Sequence, residues 1–575
     1  MAFRICSETD PEAYEGPSLP AGPWRRREPM GSALSTPAPV SNPDRDRQLS
    51  DLEAREFDCL VIGGGITGAG LAREAARRGL SVALLEAEDF ASGTSGRSSK
   101  LIHGGLRYLA LGDVKLVRET ARERVHVHRE APHLAEKAWM VIPSSNRATH
   151  LKFRTAVTAY EKLGNVADSD RHSNWDREAI AQNEPALDTR RYSHACAYRE
   201  YTTDDARLVL ANLRAAAGSG AMLVNRARVG KLLKEAGRVI GVEAQCVVTG
   251  AVVSVRARCV VNATGPWVSQ LRELENGKGH ANLLQLSKGV HVVLPRERLP
   301  ARHLVILGMA DRRSIFVVPR GDVVYVGTTD TTWSSEPDWW PEITAEDVDY
   351  LISPLSQHFR VEPVSPQECL AAWSGLRPLV AQKGKKPTEV SRRDEIFVGE
   401  GGLITIVGGK LTGYRGMARK ILERVAAVLE IRLAPSDDEA PLPGGDFSGD
   451  LDALALGLSE ETSVDPATAS RMVRLYGCEA ALVVARGAEQ LVAGAPVLAG
   501  EVAWAVQFEA ALNLEDFIYR RSRVAYFEPQ HCDALLQPAA AAMKELLGWS
   551  EAHAQSEVEA LRRRRESDLD FAREG

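Results

Sequence analysis

The sequence lacks the features that would place the protein across a membrane, outside the cell or on nucleic acid. It has no apolar run approaching the ~20 residues needed to span a bilayer, and its first residues lack the apolar core of a signal peptide. Its 8 cysteines are scattered and form no C-x-x-C pair, which argues against a disulfide framework or a zinc site. A net charge of −6 gives no reason to expect a nucleic-acid partner. We therefore expect a protein of a reducing compartment that is soluble or, at most, bound to a membrane surface.

The length of the chain indicates several domains. Its 575 residues exceed what one hydrophobic core serves, so two or three domains are expected. Residues 1–53 are rich in Pro, Ser, Gly and charge and lack periodicity, so they are predicted to be disordered. Residues 434–450, rich in Pro, Gly and Asp, are predicted to link the preceding domains to a helical C-terminal domain over residues 451–575.

A strand, a tight turn and a helix begin the ordered part of the chain. Asp58–Ile62 is an apolar run too short for a helix, and a G-x-G-x-x-G pattern of Gly63, Gly65 and Gly68 follows it. Such glycines let the backbone turn tightly and approach a pyrophosphate at the positive end of the next helix. Glu86 follows at the distance where an adenosine ribose needs an acceptor for its hydroxyls. The pattern predicts a dinucleotide site, and the acid disfavours the alternative of an ordinary βαβ turn without a ligand.

Two further stretches of small residues return the chain to the same nucleotide. One apolar strand ends in Ala263–Gly265, and another, Leu403–Val407, runs into glycines and a helix start at Gly408–Thr412. Nicotinamide enzymes leave their cofactor free to exchange and seldom surround it with three separated stretches of this kind. A long cofactor held along its length explains the pattern better, so FAD is the favoured dinucleotide.

The remaining segments predict a second sheet and a helical end. Val290–Leu294, Ser314–Val318 and Val323–Val326 read as strands of a largely antiparallel sheet. Leu151–Leu163 predicts a helix that either packs between domains or contacts a membrane surface with its basic side chains. Beyond the linker mostly helices are predicted, one of them beginning at Pro538, because the first helical position needs no amide hydrogen.

Six longer motifs are specific enough to indicate a family. They are FASGTSGRSSKLIHGGLRYL (90–109), ATGPW (263–267), GTTD (327–330), SGLRPL (374–379), GGKLTGYR (408–415) and LEDFIYRRSR (514–523). Together they resemble the FAD-dependent glycerol-3-phosphate dehydrogenases, a family of the D-amino-acid-oxidase type. The resemblance runs from about Phe57 to the last helices, and its last motif marks a helical C-terminal domain that the amino-acid oxidases lack.

The resemblance implies an α/β fold with three parts. These are a Rossmann-type FAD-binding domain, an inserted substrate domain with a mixed or antiparallel sheet, and an all-α C-terminal domain. The first two are expected to interleave within residues 54–433. The expected FAD-binding segments are about 57–115, 203–268 and 370–430, and the expected substrate-binding segments are about 135–200 and 283–370.

The resemblance also implies a reaction and its partners. sn-Glycerol 3-phosphate would be oxidised to dihydroxyacetone phosphate by hydride transfer to FAD, and the electrons would pass to a membrane quinone. The protein would be cytoplasmic and docked peripherally on the inner face of the cytoplasmic membrane, and a homodimer is compatible with this. A relative in the family uses oxygen instead. Three alternatives stay open: another amine- or hydroxy-acid-oxidising flavoenzyme of this fold, an FAD-binding sensor or scaffold, and a nucleic-acid-modifying flavoprotein, which the net acidity disfavours.

The implied substrate site is a group of cations around one phosphate. Arg107, Arg377 and Lys410 lie in the matching motifs, with Arg392 as a weaker fourth. A guanidinium meets a phosphate through two hydrogen bonds, which fix orientation as well as charge. Lys410 is expected to have a second role, because a cation beside the flavin stabilises the negative charge of its reduced form.

Two histidines, a tyrosine and a threonine in the same motifs complete the implied site. His291 is the favoured proton acceptor, whereas His103 is a weaker candidate that would otherwise line the flavin. A water held by an arginine is the alternative base. Tyr108 is expected to donate a hydroxyl hydrogen bond to the substrate. Thr412 is expected to bind the substrate and to open the helix beside the flavin. The implied catalytic residues are His291, Arg377 and Lys410.

The implied FAD-binding residues are spread over the glycine-rich stretches. They are Gly63, Gly64, Gly65, Ile66, Thr67, Gly68, Glu86, Ser95, Arg97, Ser98, Ser99, Lys100, His103, Gly104, Gly105, Val229, Ala263, Thr264, Gly265, Trp267, Gly409, Lys410, Leu411 and Thr412. The sequence departs from the family's pattern at Lys288 and Val290, and at Gly413, where a threonine is common. These departures are expected to bear on fine substrate preference.

Overall fold

The computed structural model describes residues 37–41, 44–105, 114–277, 283–311, 313–381, 394–436 and 440–573. They form two sheets and a C-terminal group of helices. The strands are β1 (Glu56–Ile62), β2 (Val82–Leu85), β3 (Leu101–Ile102), β4 (Ala135–Ser144), β5 (Ser173–Asp176), β6 (His194–Thr203), β7 (Met222–Val224), β8 (Ala227–Glu235), β9 (Arg238–Cys246), β10 (Val252–Asn262), β11 (Leu284–Pro295), β12 (Leu304–Gly308), β13 (Ser314–Arg320), β14 (Val323–Gly327), β15 (Thr331–Trp333), β16 (Ala371–Val380), β17 (Asp394–Val398) and β18 (Ile404–Gly408).

The described helices fall into two groups, one before and one after residue 436. The first group is α1 (Arg45–Glu53), α2 (Ile66–Arg77), α3 (Val114–Glu130), α4 (Arg147–Gly164), α5 (Arg177–Asn183), α6 (Asp205–Gly218), α7 (Val268–Asn276), α8 (Ala345–Ile352), α9 (Leu355–His358) and α10 (Tyr414–Leu429). The second is α11 (Leu451–Thr462), α12 (Pro466–Tyr476), α13 (Ala480–Val484), α14 (Ala499–Glu509), a π-helix (Asp516–Arg521), α15 (Val524–Phe527), α16 (Pro529–Leu547) and α17 (Glu551–Ser567).

The first sheet is built around parallel strands. Its order is β17-β18-β10-β1-β2-β7, and the β8–β9 pair is added through β9 to β10. Strands β18, β10, β1, β2 and β7 are mutually parallel along this order. Helices α2, α6 and α10 pack against one another in the buried cluster that also holds side chains of the sheet. Parallel strands must be joined by crossovers, and α2 is the crossover between β1 and β2.

The second sheet is mixed and mainly antiparallel. Its order is β15-β11-β14-β13-β12-β4-β6-β3, with β16 also paired to β11 and β5 to β6. Only the β12–β4 pair is parallel among its described pairings. Its strands alternate along the chain with those of the first sheet, so the two sheets interleave. The expected boundary at residue 370 is wrong, because β16 pairs with β11 along its whole length and belongs to the second sheet.

The C-terminal helices pack on the second sheet and on each other. Phe517, Tyr526 and Leu535 share one buried cluster with Met140 and Trp373 of the second sheet. The prediction that a helix begins at Pro538 is wrong, because this proline lies inside α16. That helix begins instead at Pro529, where a proline needs no amide hydrogen. No helix in the described part of the chain is both long and apolar enough to cross a bilayer.

The expected disorder of residues 1–53 is wrong for the last part of that segment. Helix α1 is capped by Asp44, whose carboxylate accepts from the Arg47 amide at 3.0 Å. Leu49 and Leu52 are buried in the cluster formed by one face of the first sheet. Gln48 is buried beside them and donates to the Leu223 carbonyl at 3.0 Å. Two apolar side chains are too few to show a clear period in the sequence.

Candidate active site

A cavity of about 650 Å³ lies where the parallel strands of the first sheet end. Its wall includes the residues that follow β1, β2, β10 and β18, together with side chains of β11 and β16 from the second sheet. Ligands of open α/β sheets bind at this carboxyl edge, because the loops and helix N-termini face it. The cavity therefore has one wall from each sheet.

The glycine loop between β1 and α2 forms one end of the cavity. Gly63 has φ +111°, and a Cβ there would lie 2.6 Å from the carbonyl oxygen of Ala263. A Cβ at Gly68 would lie 1.9 Å from the Gly63 carbonyl oxygen, so only glycine allows α2 to pack this close to the loop. Gly65 caps α2 and lines the cavity. The N-terminus of α2 thus faces the cavity with bare backbone, as a pyrophosphate site requires.

Glu86 is the acid at the end of β2. Its carboxylate accepts from the Gly64 amide at 2.6 Å and from the Glu88 amide at 2.8 Å. The side chain lines the cavity but is buried. Burial raises the pKa of Glu86 to about 7, against the two amide hydrogen bonds, which lower it. A carboxylate held in this way is oriented to accept hydrogen bonds from hydroxyls in the cavity.

Arg377 of β16 lies in the wall contributed by the second sheet. One of its terminal nitrogens donates to Thr328 Oγ1 at 2.6 Å and to the Thr329 carbonyl at 3.1 Å. The other donates to Ser287 Oγ at 3.2 Å. Gly289 makes room for the guanidinium, because a Cβ there would lie 1.9 Å from Arg377 Nη2. These contacts fix the orientation of the Arg377 guanidinium at the cavity wall.

His291 of β11 lies in the same wall. Its ring stacks on the Trp373 indole with centroids 4.8 Å apart and 11° between planes. Nε2 is 2.9 Å from Ser99 Oγ, and Nδ1 has no hydrogen-bond partner among the described residues. Burial lowers the pKa of His291 well below its usual range, and the charges of Arg377 and Lys100 lower it further. The imidazole is therefore neutral at neutral pH and has a ring nitrogen with a lone pair.

Lys410 and Thr412 join the third glycine-rich stretch to the segment that follows β3. Lys410 Nζ donates to the His103 carbonyl at 2.5 Å. Thr412 Oγ1 accepts from the His103 amide at 3.1 Å and donates to the His103 carbonyl at 3.0 Å. Thr412 is buried and does not line the cavity, whereas Lys410 and His103 do.

The charge of the cavity wall favours an anion. Among the described residues, four basic side chains line it against a single acid, Glu86. The basic residues are Arg97, Arg228, Arg377 and Lys410. A low-dielectric cleft lined mainly by one sign of charge concentrates ligands of the opposite sign. Arg228 pairs with Glu88 at 2.6 Å and Arg377 lies 3.7 Å from Asp330 Oδ1, so these acids offset part of the positive charge, and the wall still suits an anionic ligand.

Most of the predicted FAD-binding residues lie in this wall. They are Gly63, Gly65, Ile66, Thr67, Glu86, Ser95, Arg97, Ser98, Ser99, His103, Val229, Ala263, Thr264, Gly265, Trp267, Gly409, Lys410 and Leu411. The predicted residues that are described but do not line it are Gly64, Gly68, Lys100, Gly104, Gly105 and Thr412. The predicted Arg107, Tyr108 and Arg392 lie outside the described residues.

Lys100 is the clearest difference from the predicted site. Its side chain is fully buried, and Nζ is 3.0 Å from Asp205 Oδ1 and 3.1 Å from the Gly96 carbonyl. The ammonium also lies 4.6 Å from the centroid of the Trp373 ring. Lys100 thus belongs to a core ion pair beneath the cavity, because its partner Asp205 is the first residue of α6 and reaches it there.

Lys288 and Val290 do not bear on substrate preference through contact with this cavity. Lys288 Nζ donates to Asp347 Oδ2 at 2.6 Å and to the Glu342 carbonyl at 2.8 Å. Val290 is fully buried in the core between the second sheet and α8. Both side chains of β11 therefore point away from the cavity, and Lys288 instead ties the strand to the start of α8.

Sequence reasoning missed the residues that reach the cavity from the loop after β15. Trp339 stacks on Trp267 with ring centroids 3.8 Å apart and 25° between planes. The next residue, Trp340, lies under the Arg97 guanidinium at 3.4 Å. Two adjacent tryptophans in a polar loop are unusual for a surface segment, and this was the available signal.

These observations define a class of protein. A parallel sheet ends at a glycine loop and a buried acid oriented by two amides, and a second sheet brings cations and a neutral imidazole to the same cavity. This arrangement is that of a dinucleotide-dependent oxidoreductase.

Comparisons with known proteins give the family. The model for FAD dependent oxidoreductases matches residues 58–415, and the model for the C-terminal domain of alpha-glycerophosphate oxidase matches residues 436–554. The chain is 36% identical over 532 residues to the aerobic glycerol-3-phosphate dehydrogenase of Bacillus subtilis, covering 89% of this chain and 95% of that one. It is 36% identical over 528 residues to the protein of that name from Staphylococcus haemolyticus, covering 87% and 93%.

A solved structure is similar over almost the whole chain. The glycerol-3-phosphate dehydrogenase of Bacillus halodurans, complexed with FAD, is 31% identical, with a TM-score of 0.78 over 92% of this chain and 99% of that one. The chain belongs to the FAD-dependent glycerol-3-phosphate dehydrogenase family of oxidoreductases. The family resemblance, the expected α/β fold with its helical C-terminal domain, and FAD as the cofactor are thereby confirmed.

Proposed function

We propose that the protein oxidises sn-glycerol 3-phosphate to dihydroxyacetone phosphate with FAD and passes the electrons to a membrane quinone. The proposal rests on one observation, which is that two groups of residues line the same cavity. The glycine loop and Glu86 line one part of it, and Arg377, His291 and Lys410 line another. The names of the Bacillus and Staphylococcus relatives support the same substrate.

The residues that would hold FAD follow from the shape of the wall. The bare backbone at Gly63 and Gly65 and the N-terminus of α2 suit the pyrophosphate. Glu86 would accept from the ribose hydroxyls. The stretch around Ala263–Gly265 and the one around Gly409–Leu411 would hold the rest of the molecule along its length. When bound, FAD supplies the hydride acceptor for the reaction.

Arg377 and Lys410 would bind the phosphate of the substrate. The guanidinium of Arg377 is already oriented by Thr328, Thr329 and Ser287, so little rotamer entropy is lost when an anion binds. In the adjoining part of the wall, the Lys410 ammonium is held in place by its hydrogen bond to the His103 carbonyl. Two fixed cations position the central carbon of the substrate as well as attract its charge.

His291 would accept the proton of the secondary hydroxyl as hydride leaves the same carbon. The ring is neutral because burial and the nearby cations lower its pKa. A phosphate dianion bound to Arg377 would offset one of these cations and make the imidazole more basic only when substrate is present. The Trp373 ring holds the imidazole plane, which limits the directions from which a hydroxyl can approach it.

A peripheral position on the inner face of the cytoplasmic membrane fits the quinone acceptor. Helix α4 buries Val157 and Tyr160 against the protein and exposes Leu151, Lys152 and Arg154. Exposed basic and apolar side chains on one helix suit an anionic lipid surface.

Anaerobic titration tests the proposal. Adding sn-glycerol 3-phosphate to the yellow holoenzyme should bleach the flavin absorbance, whereas glycerol at the same concentration should not. Absence of bleaching would refute glycerol 3-phosphate as the substrate and leave either an FAD-binding sensor or a flavoenzyme that oxidises another compound. A second assay compares a soluble quinone with oxygen as acceptor: faster turnover with quinone supports the proposed acceptor, and faster peroxide formation makes the protein an oxidase.

A further inference from the structure

The turn that follows Glu86 faces the cavity on one side and the C-terminal helices on the other. Glu86, Ala87 and Ala91 line the cavity. Asp89, in the middle of the turn, is fully buried on the opposite side. Its carboxylate accepts from Arg520 Nε and Arg521 Nη1, and from Arg521 Nη2 at 2.8 Å. The π-helix of the C-terminal domain is thus bound directly to the turn that bears the ribose acceptor.

A second connection runs alongside the first. Arg226, between β7 and β8, donates to Glu88 Oε2 and to Asp516 Oδ1, both at 2.7 Å. Asp516 also accepts from Arg520 Nη2 at 2.6 Å. The carboxylates of Glu88, Asp89 and Asp516 therefore alternate with three guanidiniums across the boundary between the turn and the π-helix. In a buried network of this kind each ion restricts the positions of its neighbours.

The turn transmits this restriction to the glycine loop. The Glu88 amide donates to the Glu86 carboxylate, and the Glu86 carboxylate accepts from the Gly64 amide. At the other end of the turn the Ala91 amide donates to the Gly64 carbonyl at 3.2 Å. The Phe90 ring packs against the same loop, because a Cβ at Gly64 would lie 2.5 Å from it. A displacement of Asp89 would therefore move both Glu86 and the loop.

We propose that Arg520 and Arg521 of the C-terminal domain are positioning residues for FAD, acting through Asp89 on the turn that presents Glu86 and the glycine loop. The helical domain is then a structural part of the cofactor site, although none of its described residues lines the cavity. The proposal concerns FAD alone and does not depend on the substrate or the electron acceptor proposed above.

The test compares two ion pairs that connect the C-terminal domain to segments packed around the first sheet, Asp89 in the turn after β2 and Arg214 in α6. Arg521→Met removes a guanidinium from Asp89. Arg214→Met is the matched control, because Arg214 of α6 pairs with Glu479 at 2.6 Å and neither residue contacts the turn or the cavity. Each purified holoenzyme is serially diluted, and FAD release is followed by flavin fluorescence. The thermal unfolding midpoint in excess FAD is recorded in parallel.

We expect Arg521→Met to weaken FAD binding at least tenfold and Arg214→Met to change it less than twofold, while both lower the unfolding midpoint. Arg521→Lys should restore part of the affinity, since it restores a cation. If Arg521→Met bound FAD with wild-type affinity, the proposal would be overturned, because the arginine would then only hold the C-terminal domain in place. Equal losses of FAD affinity in Arg521→Met and Arg214→Met would also overturn it, because they would show that weakening any contact of the C-terminal domain weakens FAD binding.

A milder variant keeps the test decisive if Arg521→Met does not fold. Glu88→Gln removes one charge from the partly exposed end of the network, where Arg226 and Arg228 both donate to Glu88. It should weaken FAD binding several-fold with little change in the unfolding midpoint. Unchanged affinity in Glu88→Gln would refute the coupling between this network and the cofactor.

Discussion

Replacing Glu86 with Gln tests whether the buried acid at the end of β2 binds FAD as a carboxylate. Burial raises the pKa of Glu86 to about 7. Ribose hydroxyls donate to an ionised carboxylate, so FAD favours the ionised form. Proton binding to Glu86 therefore competes with FAD binding below pH 7, and the variant removes this competition together with the negative charge.

The pKa of Glu86 sets the size of the effect. A group with a pKa of about 7 is roughly one-tenth ionised at pH 6 and nine-tenths ionised at pH 8. FAD should therefore bind the wild-type protein about tenfold more weakly at pH 6 than at pH 8. Glu86→Gln should bind more weakly than the wild type at pH 8 and should show no such slope. Both the affinity at pH 8 and its change with pH are measured by diluting each holoenzyme at pH 6, 7 and 8 and following the released FAD by flavin fluorescence.

The control is Glu56→Gln, which removes an exposed acid at the start of β1 and should keep the wild-type slope. The FAD-free protein gives a second readout. Because the folded-state pKa of Glu86 lies above its ordinary value of 4.5, burial costs nothing well below pH 4.5 and roughly 3 kcal/mol above pH 7. Glu86→Gln should thus stabilise the FAD-free protein at pH 8 more than at pH 5. A wild-type affinity that is flat from pH 6 to pH 8, or a slope that persists in Glu86→Gln, would refute the role of this acid.

Three further substitutions test the other parts of the cavity. Gly65→Val places a branched side chain where the pyrophosphate would lie, so the purified protein should be colourless; a yellow, active variant would show that the cofactor lies elsewhere. Arg377→Ala should lower kcat/KM for the phosphorylated substrate by about 10- to 100-fold, through both kcat and KM, and an unchanged preference for glycerol 3-phosphate over glycerol would contradict the phosphate role. His291→Ala should lower turnover by about 100-fold or more while FAD content stays near that of the wild type, and unchanged turnover would remove His291 from the mechanism.

Local patterns were sufficient to predict which glycines and which acid meet at the end of the first sheet. The glycines, the strand before them and the acid after the second strand lie within one βαβ unit, so their spacing along the chain determines their spacing in space. The same holds for Gly409 and Leu411, which lie between the end of β18 and the start of α10. These residues line one cavity, and their contact with FAD stays a prediction.

Features that depend on distant segments were not predictable in this way. The assignment of β16 to the second sheet depends on its pairing with β11, about ninety residues earlier. Lys100 lies in a motif of site residues, yet its partner Asp205 comes from a separate helix and draws its side chain into the core. Trp339 reaches the cavity from a loop with no regular period. Helix α1 has too few apolar residues to show amphipathic spacing, and its buried side chains find their partners in the distant strands of the first sheet.

The interleaving of the two sheets has a consequence for how the protein is made. The central strands of the first sheet are β1, β10 and β18, which end at Ile62, Asn262 and Gly408. At about 5–20 residues per second, β18 leaves the ribosome roughly 20 to 70 s after β1. During that time the growing chain holds an unfinished sheet with an open, apolar edge, which is a template for aggregation. Slowing translation or depleting chaperones should therefore reduce the soluble yield of this protein more than that of a protein whose sheet is completed by neighbouring strands.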